Sequence, residues 1–418
     1  MLLADRKKRT IHCEPSKIRT LSIMHLMNSL LTRRNFLGRL ATATGVALAP
    51  SLPRASAASA SSAQKFSFVL LGDLHFDKLE HHDLAWLDQT HPNDLSQIKN
   101  YSRITAEVMP KLFTTVRETV AELNRTPATR VAFVLQAGDL VEGLCGNEEL
   151  AARQNTEAVA FVRDAKLGAP FLFTKGNHDV TGEGARDAFA KVFHPFLSRE
   201  AAAVAPGTGA VNNAFFSIES GNAQFAFFDA YQTAASLEWF EAVAAKRTAD
   251  HLFVVVHPPV VPYGARATWH VFASEKEKAK REKFLELLGR QHALVLGGHI
   301  HRYNTLARAA GGGRFAQFAL SSVISGPAVT AKTPLSGLAD YTGDQIKVEP
   351  KFSPDTETAR RAVYEAEKPF VKAFEYADLP GYAVVTVDGP RVTAQMYAGF
   401  SRQVWRTVDL TGLLGRTG

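Results

Sequence analysis

Acids and histidines recur in this chain just beyond short apolar runs. Gly72-Asp73-Leu74-His75 follows the run from Phe66 to Leu71, and Gly297-Gly298-His299-Ile300-His301 follows Ala293-Leu294-Val295-Leu296. In an extended segment residues two apart point the same way, so Asp73 and His75 share a face, as do His299 and His301. Imidazole with carboxylate suits a divalent transition metal better than Mg or Ca. Three further runs end in the same fashion: Arg130 to Gln136 before Gly138-Asp139, Pro170 to Thr174 before Gly176-Asn177-His178-Asp179, and Phe253 to Val256 before His257. In the tetrapeptide, Asn177 offers a neutral carbonyl ligand, His178 a proton donor, and Asp179 a carboxylate that fixes a ring's orientation. Taken singly, each motif reads equally as a capping carboxylate, a structural histidine or a solvated loop. Their meaning depends on whether the fold brings them to one place.

The apolar runs read as strands buried on both faces. Between them lie helical patterns. One spans 95–125 and is kinked or divided by Pro110, and another covers 148–166. Later helices run from Leu237 to Arg247 and through Phe284, Leu285, Leu287 and Leu288. Such alternation calls for parallel strands with right-handed crossovers, whose ligand site lies beyond the strands' carboxyl ends. All five motifs fall at those ends. Hairpins are expected over 213–231, turning at Ser220-Gly221-Asn222, and over 303–325, turning at Gly311-Gly312-Gly313. Residues 355–375 are charged and helix-prone. Two last strands, Tyr382 to Val387 and Val392 to Tyr397, flank Asp388-Gly389. The segment 76–94, rich in His and Asp, reads as a solvated surface loop.

In order and over residues 66–302, Asp73-x-His75, Gly138-Asp139, Gly176-Asn177-His178-Asp179, His257 and Gly298-His299-x-His301 resemble the signature of the calcineurin-like metallophosphoesterase family. The resemblance implies an α/β fold, a four-layer α-β-β-α sandwich of two mixed sheets, over 66–418. It implies two divalent ions (Mn, Fe, Zn or Co), one held by Asp73, His75 and His301 and the other by Asn177, His257 and His299, with Asp139 bridging. It implies phosphoric ester hydrolysis, of mono- or diesters, by attack of a metal-bridging hydroxide. Two ions about 4 Å apart clamp the attacking and leaving oxygens of such a displacement. His178, no ligand, stabilises the phosphoryl oxygen or protonates the leaving alkoxide, with Asp179 holding its ring. Purple acid phosphatases carry an iron-binding Tyr three residues after the bridging Asp. Here Glu142 stands there, so no iron–tyrosinate colour is expected. Tyr263, Trp269, His270 and Tyr303 follow motif residues closely, and packing explains them as well as a pocket does. The competing readings are a catalytically silent metal-binding scaffold of the same fold, and a nuclease.

The 418 residues, 46% hydrophobic, suffice for a large core. The formal charge of +7 belongs to the first residues: of 48 basic and 41 acidic residues, ten and two lie in 1–57, which leaves 38 and 39. That balance gives no strong nucleic-acid signal. Thr32-Arg33-Arg34-Asn35-Phe36-Leu37, the weakly apolar run Leu40 to Pro50 and Ala55-Ser56-Ala57 resemble a twin-arginine export signal over 1–57, too short to span a bilayer. A linker follows over 58–65. The expected partners are the export machinery and a small phosphoester substrate, and the expected location is periplasmic or secreted. Residues 1–23 are long for such a leader, which points to Met24 or Met27 as the start. Cys13 leaves with the leader, so Cys145 has no partner for an internal disulfide.

Overall fold

The computed structural model describes residues 65–347 and 356–415. The twin-arginine pair, its cleavage site, Met24, Met27, Cys13 and all of the linker but Lys65 lie outside the described residues. Cys145 is a buried free thiol.

The first half alternates strands with helices: β1 (Phe66–Leu71), α1 (Leu84–Thr90), α2 (Leu95–Glu107), α3 (Met109–Leu123), β2 (Val131–Gln136), α4 (Glu148–Asp164) and β3 (Phe171–Phe173). The chain then runs through α5 (Ala185–Ala188), α6 (His194–Val204), β4 (Phe216–Ser220), β5 (Ala223–Phe227), α7 (Thr233–Ala245), β6 (His251–Val255), α8 (Lys278–Arg290) and β7 (Leu294–Gly297). The remainder is β8 (Tyr303–Ala310), β9 (Gly313–Ala319), β10 (Leu335–Ser336), α9 (Glu357–Glu367), β11 (Val371–Ala377), β12 (Gly381–Asp388), β13 (Arg391–Ala398), β14 (Val404–Asp409) and α10 (Leu410–Leu413). The helix over 95–125 divides at Val108, with Pro110 in the first turn of α3, where its missing N–H costs nothing.

Two mixed sheets result, ordered β14-β13-β12-β1-β2-β3 and β10-β11-β8-β9-β7-β6-β5-β4. The strands β1, β2 and β3 are parallel in the first, and β5, β6, β7 and β9 in the second. Strand alternation sets the layers. Phe253, Val255, Leu294 and Leu296 face the core between the sheets, while Leu252, Val254 and Val295 face a second core beneath Phe240 of α7 and Phe284 of α8. Between the sheets the stacked pair Phe68–Phe133 meets the stacked pair Phe225–Phe253 edge-on, with Phe68 and Phe225 centroids 5.2 Å apart at 88°. Each such edge contact adds about 0.5–1.5 kcal/mol beyond area burial. On the outer side α3 lies against the first sheet, its Thr119 hydroxyl 3.0 Å from that of Tyr382 on β12. Helix, sheet, sheet, helix is the four-layer α/β sandwich expected.

Three differences from the sequence reading have physical causes. The helix-prone stretch 355–375 is helical only over α9 and then becomes β11, whose exposed Lys372 alternates with buried Val371 and Phe374. The strand β14 lies beyond β13, which is therefore not the last. The segment 76–94 is not solvated throughout: Asp77 and His81 are fully buried and His82 nearly so. No helix among the described residues is long and apolar enough to cross a membrane.

Candidate metal centre

The carboxyl ends of β1, β2 and β3 in one sheet and of β6 and β7 in the other converge. Asp73 forms an isolated parallel bridge with Ser321, just past β9, which joins the two sheets at this edge. The Leu74 and His75 N–H groups both donate to the Asp139 carbonyl at 3.0 Å, which welds the first two motifs together.

The backbone at this edge is unusual. His75, Asp139, His299 and His301 adopt φ of 50°, 56°, 72° and 60°. Left-handed non-glycine residues cost of order 1–3 kcal/mol each and concentrate at functional sites. This corrects the same-face expectation, because the segment carrying His299 and His301 is not extended there. His301 joins Asp73 and His75, whereas His299 joins Asp139 and His257, with the donor atoms of each trio within 4.8 Å of one another. Two motif glycines are required by close approach. A Cβ on Gly138, itself at φ +94°, would lie 2.6 Å from His257 Nδ1, and one on Gly176 would lie 2.0 Å from Asp139 Oδ1.

Several contacts place lone pairs against one another. His75 Nδ1–H donates to Glu142 Oε2 at 2.7 Å, which leaves Nε2 bare, 3.0 Å from His301 Nε2. His257 Nδ1–H donates to the Ala137 carbonyl at 2.8 Å, which leaves its Nε2 2.9 Å from Asp139 Oδ2 and 3.2 Å from His299 Nδ1. Asp73 Oδ1 lies 3.3 Å from His301 Nε2 and 3.8 Å from His257 Nε2. The Asn177 side-chain oxygen is buried without a hydrogen-bond partner. Electron pairs this close require a proton or a cation between them, so the donor set fits a metal.

The electrostatics agree. Burial alone would raise the Asp73 carboxyl, but His301 and His257 outweigh it and hold the pKa at about 2. Burial opposes charge on His257, yet Asp139 and Asp73 lift its pKa to about 9. His299, desolvated and beside His257, falls to about 3. The carboxylates favour positive charge here, while the crowded imidazoles resist protonation.

His178 borders the opening, its side chain 20% exposed, and its backbone N–H donates to Asp139 Oδ1 at 2.8 Å. Its Nδ1–H donates to the Glu142 carbonyl at 2.8 Å, with Glu142 Oε2 3.3 Å away. This corrects the expectation that Asp179 holds the ring. The Asp179 carboxylate accepts instead from the backbone N–H groups of Gly176 (2.7 Å), Asp139 and Val141 (3.1 Å each), so it ties two motif loops together. Burial first, then Asp139, raises its pKa to about 6.

The sequence reading took Glu142 only as standing in place of an iron-binding Tyr and missed its role at the site. Glu142 is fully buried, bonds His75, receives Gln97 Nε2–H at 2.9 Å, and is pushed by burial to about 7. The available signal was a lone acid within the otherwise apolar Leu140-Val141-Glu142-Gly143. Tyr101, on α2, was missed too, and it stacks on His75 with centroids 4.3 Å apart.

Comparison with known proteins follows the same lines. The chain is similar to the purple acid phosphatase PPD1 of yellow lupin, at TM-score 0.46 and 13% identity over 82% of this chain and 53% of that one. It therefore spans about half of that enzyme's length. It is similar to PhoD at TM-score 0.45 and 12% identity, over 83% of this chain and 68% of that one. It is similar also to GAP50, the anchor in the inner membrane complex of Plasmodium, at 0.43 and 14%, over 83% and 88%. No curated protein matches the chain. Residues 66–303, more than half of the sequence, match the family model of the calcineurin-like phosphoesterases. The chain belongs to the calcineurin-like phosphoesterase family.

Proposed function

We propose that the protein is a metal-dependent hydrolase of phosphate esters with a dinuclear centre. The observation that carries this reading is the meeting of the Asp73/His75/His301 and Asp139/His257/His299 trios at one edge. Asp73, His75 and His301 would hold one divalent ion, and Asn177, His257 and His299 the other, with Asp139 between them. The mixed nitrogen and oxygen donors favour Mn, Fe, Zn or Co. Bound there, the two ions supply Lewis-acid charge to the phosphoryl oxygens and lower the pKa of water at the site.

The chain's own residues do the rest. His178, fixed through Nδ1–H on the Glu142 carbonyl, turns Nε2 to the opening. Water adds to phosphorus, the ester P–O bond breaks, the leaving alkoxide takes the His178 Nε2 proton, and the proton shed by the attacking water returns to the ring. Burial of Asp73, Asp139 and His257 keeps bulk water from screening these charges.

The basic pair at Arg33-Arg34, the apolar run and Ala55-Ser56-Ala57 support twin-arginine-type export of the folded chain, hence a periplasmic or secreted enzyme. Replacing Arg33 and Arg34 by Lys in a tagged chain is expected to retain it inside the cell. For the activity, purified protein loaded with manganese is expected to release p-nitrophenol from aryl phosphates. No release from mono- or diester with any of the four metals would contradict the reading.

A further inference from the structure

The turn that follows Glu142 is strained. Gly143 and Leu144 adopt φ of 72° and 56°, so two left-handed residues stand in succession. A Cβ on Gly143 would lie 2.2 Å from the His178 carbonyl oxygen, so the turn packs directly on the His178 loop. A left-handed leucine persists only where its surroundings over-determine it. Four bonds supply that here. The Leu144 N–H donates to the Thr181 carbonyl at 2.9 Å, and the Asp83 N–H donates to the Cys145 carbonyl at 2.9 Å. The Gly143 N–H donates to Gln154 Oε1 at 3.0 Å, and His82 Nδ1–H donates to the Leu144 carbonyl at 3.0 Å.

The last two lead back to one carboxylate. Asp77, fully buried, accepts His82 Nε2–H at 2.6 Å and Gln154 Nε2–H at 2.8 Å on Oδ1, and the Ser102 hydroxyl at 2.8 Å on Oδ2. Its own N–H donates to Thr105 Oγ1 at 2.9 Å. Both ring nitrogens of His82 face acceptors, so the ring carries two protons and a positive charge paired with Asp77. Burial opposes that charge, yet the bond to Asp77 and its charge outweigh burial and raise the ring's pKa. Ser102 and Thr105 belong to α2 and Gln154 to α4, and α2 also supplies Gln97, which bonds the Glu142 carboxylate at 2.9 Å. A buried network whose polar atoms are paired is rigid.

We propose that Asp77 is a positioning residue for the centre: through His82 and Gln154 it fixes the Gly143-Leu144 turn, and so sets where Glu142 holds the His75 and His178 rings. The inference rests on the phosphoesterase reading and deepens it. Glu142 meets His75 through its carboxylate and His178 through its carbonyl. A displaced turn therefore moves a metal ligand and the proton donor together. The other metal position is tied elsewhere, with His257 bonded to the Ala137 carbonyl, and does not depend on the turn.

The test is manganese titration of the full-length protein, followed by paramagnetic resonance, with Glu142→Ala as a second background. Asp77→Ala is expected to weaken one manganese site about tenfold, the lower end for an outer partner of a metal-bound histidine. The other site should stay within about twofold. In the Glu142→Ala background the same substitution should cost less than about twofold more, because the turn then has no carboxylate to place. Asp77→Asn should recover part of the loss, since the Ser102 hydroxyl can turn to accept from the amide nitrogen while Oδ1 keeps its donors. If Asp77→Ala does not fold, Gln154→Ala cuts the strap to Gly143 alone, and the same pattern with a smaller loss is expected. Unchanged manganese affinity, equal weakening of both sites, a full further loss in the Glu142→Ala background, or no manganese binding by the wild-type protein would each overturn the proposal. The expected pattern in a protein that hydrolyses neither p-nitrophenyl phosphate nor bis(p-nitrophenyl) phosphate would uphold the positioning role and sink the hydrolase reading instead.

Discussion

His178 and Glu142 are the two side chains whose roles divide most cleanly. The His178 ring hangs from the Glu142 carbonyl, while its backbone N–H donates to Asp139. His178→Ala is therefore expected to keep its metal, by elemental analysis, and to lose about two to four orders of magnitude in kcat. Loss of metal in that variant would show the role to be misassigned. Glu142 acts one layer back, on the far nitrogen of His75. Outer partners of metal-bound histidines typically contribute about 10–100-fold in affinity. Glu142→Gln is accordingly expected to need that much more manganese for half-occupancy, while a variant that titrates like the wild type would contradict it. The residue types of the centre were legible in the sequence because metal ligands are chemically distinctive. The partner of His178 was not, because its ring bonds a main-chain carbonyl, that of Glu142, and every residue carries the same carbonyl.

At the scale of elements, the strands that carry the motifs were legible from apolar runs, and the division at Pro110 from backbone chemistry. The missing strands, β11 and β14, mix charged with apolar residues, and β11 pairs with β8, distant in sequence, while β14 pairs with β13. What fixes α9 beside them is Glu367, whose carboxylate bonds Arg281 of α8 and Arg308 of β8 at 2.6 Å each. Burial would raise its pKa, but the two guanidinium groups outweigh burial and lower it from 4.5. A carboxylate with a lowered folded pKa contributes stability that is present above the unfolded value and is lost as pH falls through the folded one. Glu367→Ala leaves the buried Arg308 and the partly buried Arg281 without their acid and is expected to cost about 3–5 kcal/mol near neutral pH. In urea titrations the deficit should shrink as pH drops below the ordinary glutamate value of 4.5. A deficit independent of pH would contradict the assignment.

Over the whole molecule, two mixed sheets meet face to face and bring their parallel ends to one edge, so side chains from both line one opening. The first sheet contributes Asp73, His75, Asp139 and Asn177, and the second contributes His257, His299 and His301. The strain at four left-handed residues and the facing lone pairs have a common explanation in cations held between the sheets. Anomalous diffraction from manganese-loaded crystals tests this most directly. The account predicts two peaks about 4 Å apart, one within reach of Asp73, His75 and His301 and one of Asn177, His257 and His299, with Asp139 touching both. In Asp139→Asn at least one peak should vanish. A single peak, a pair away from these residues, or full occupancy in the variant would contradict it.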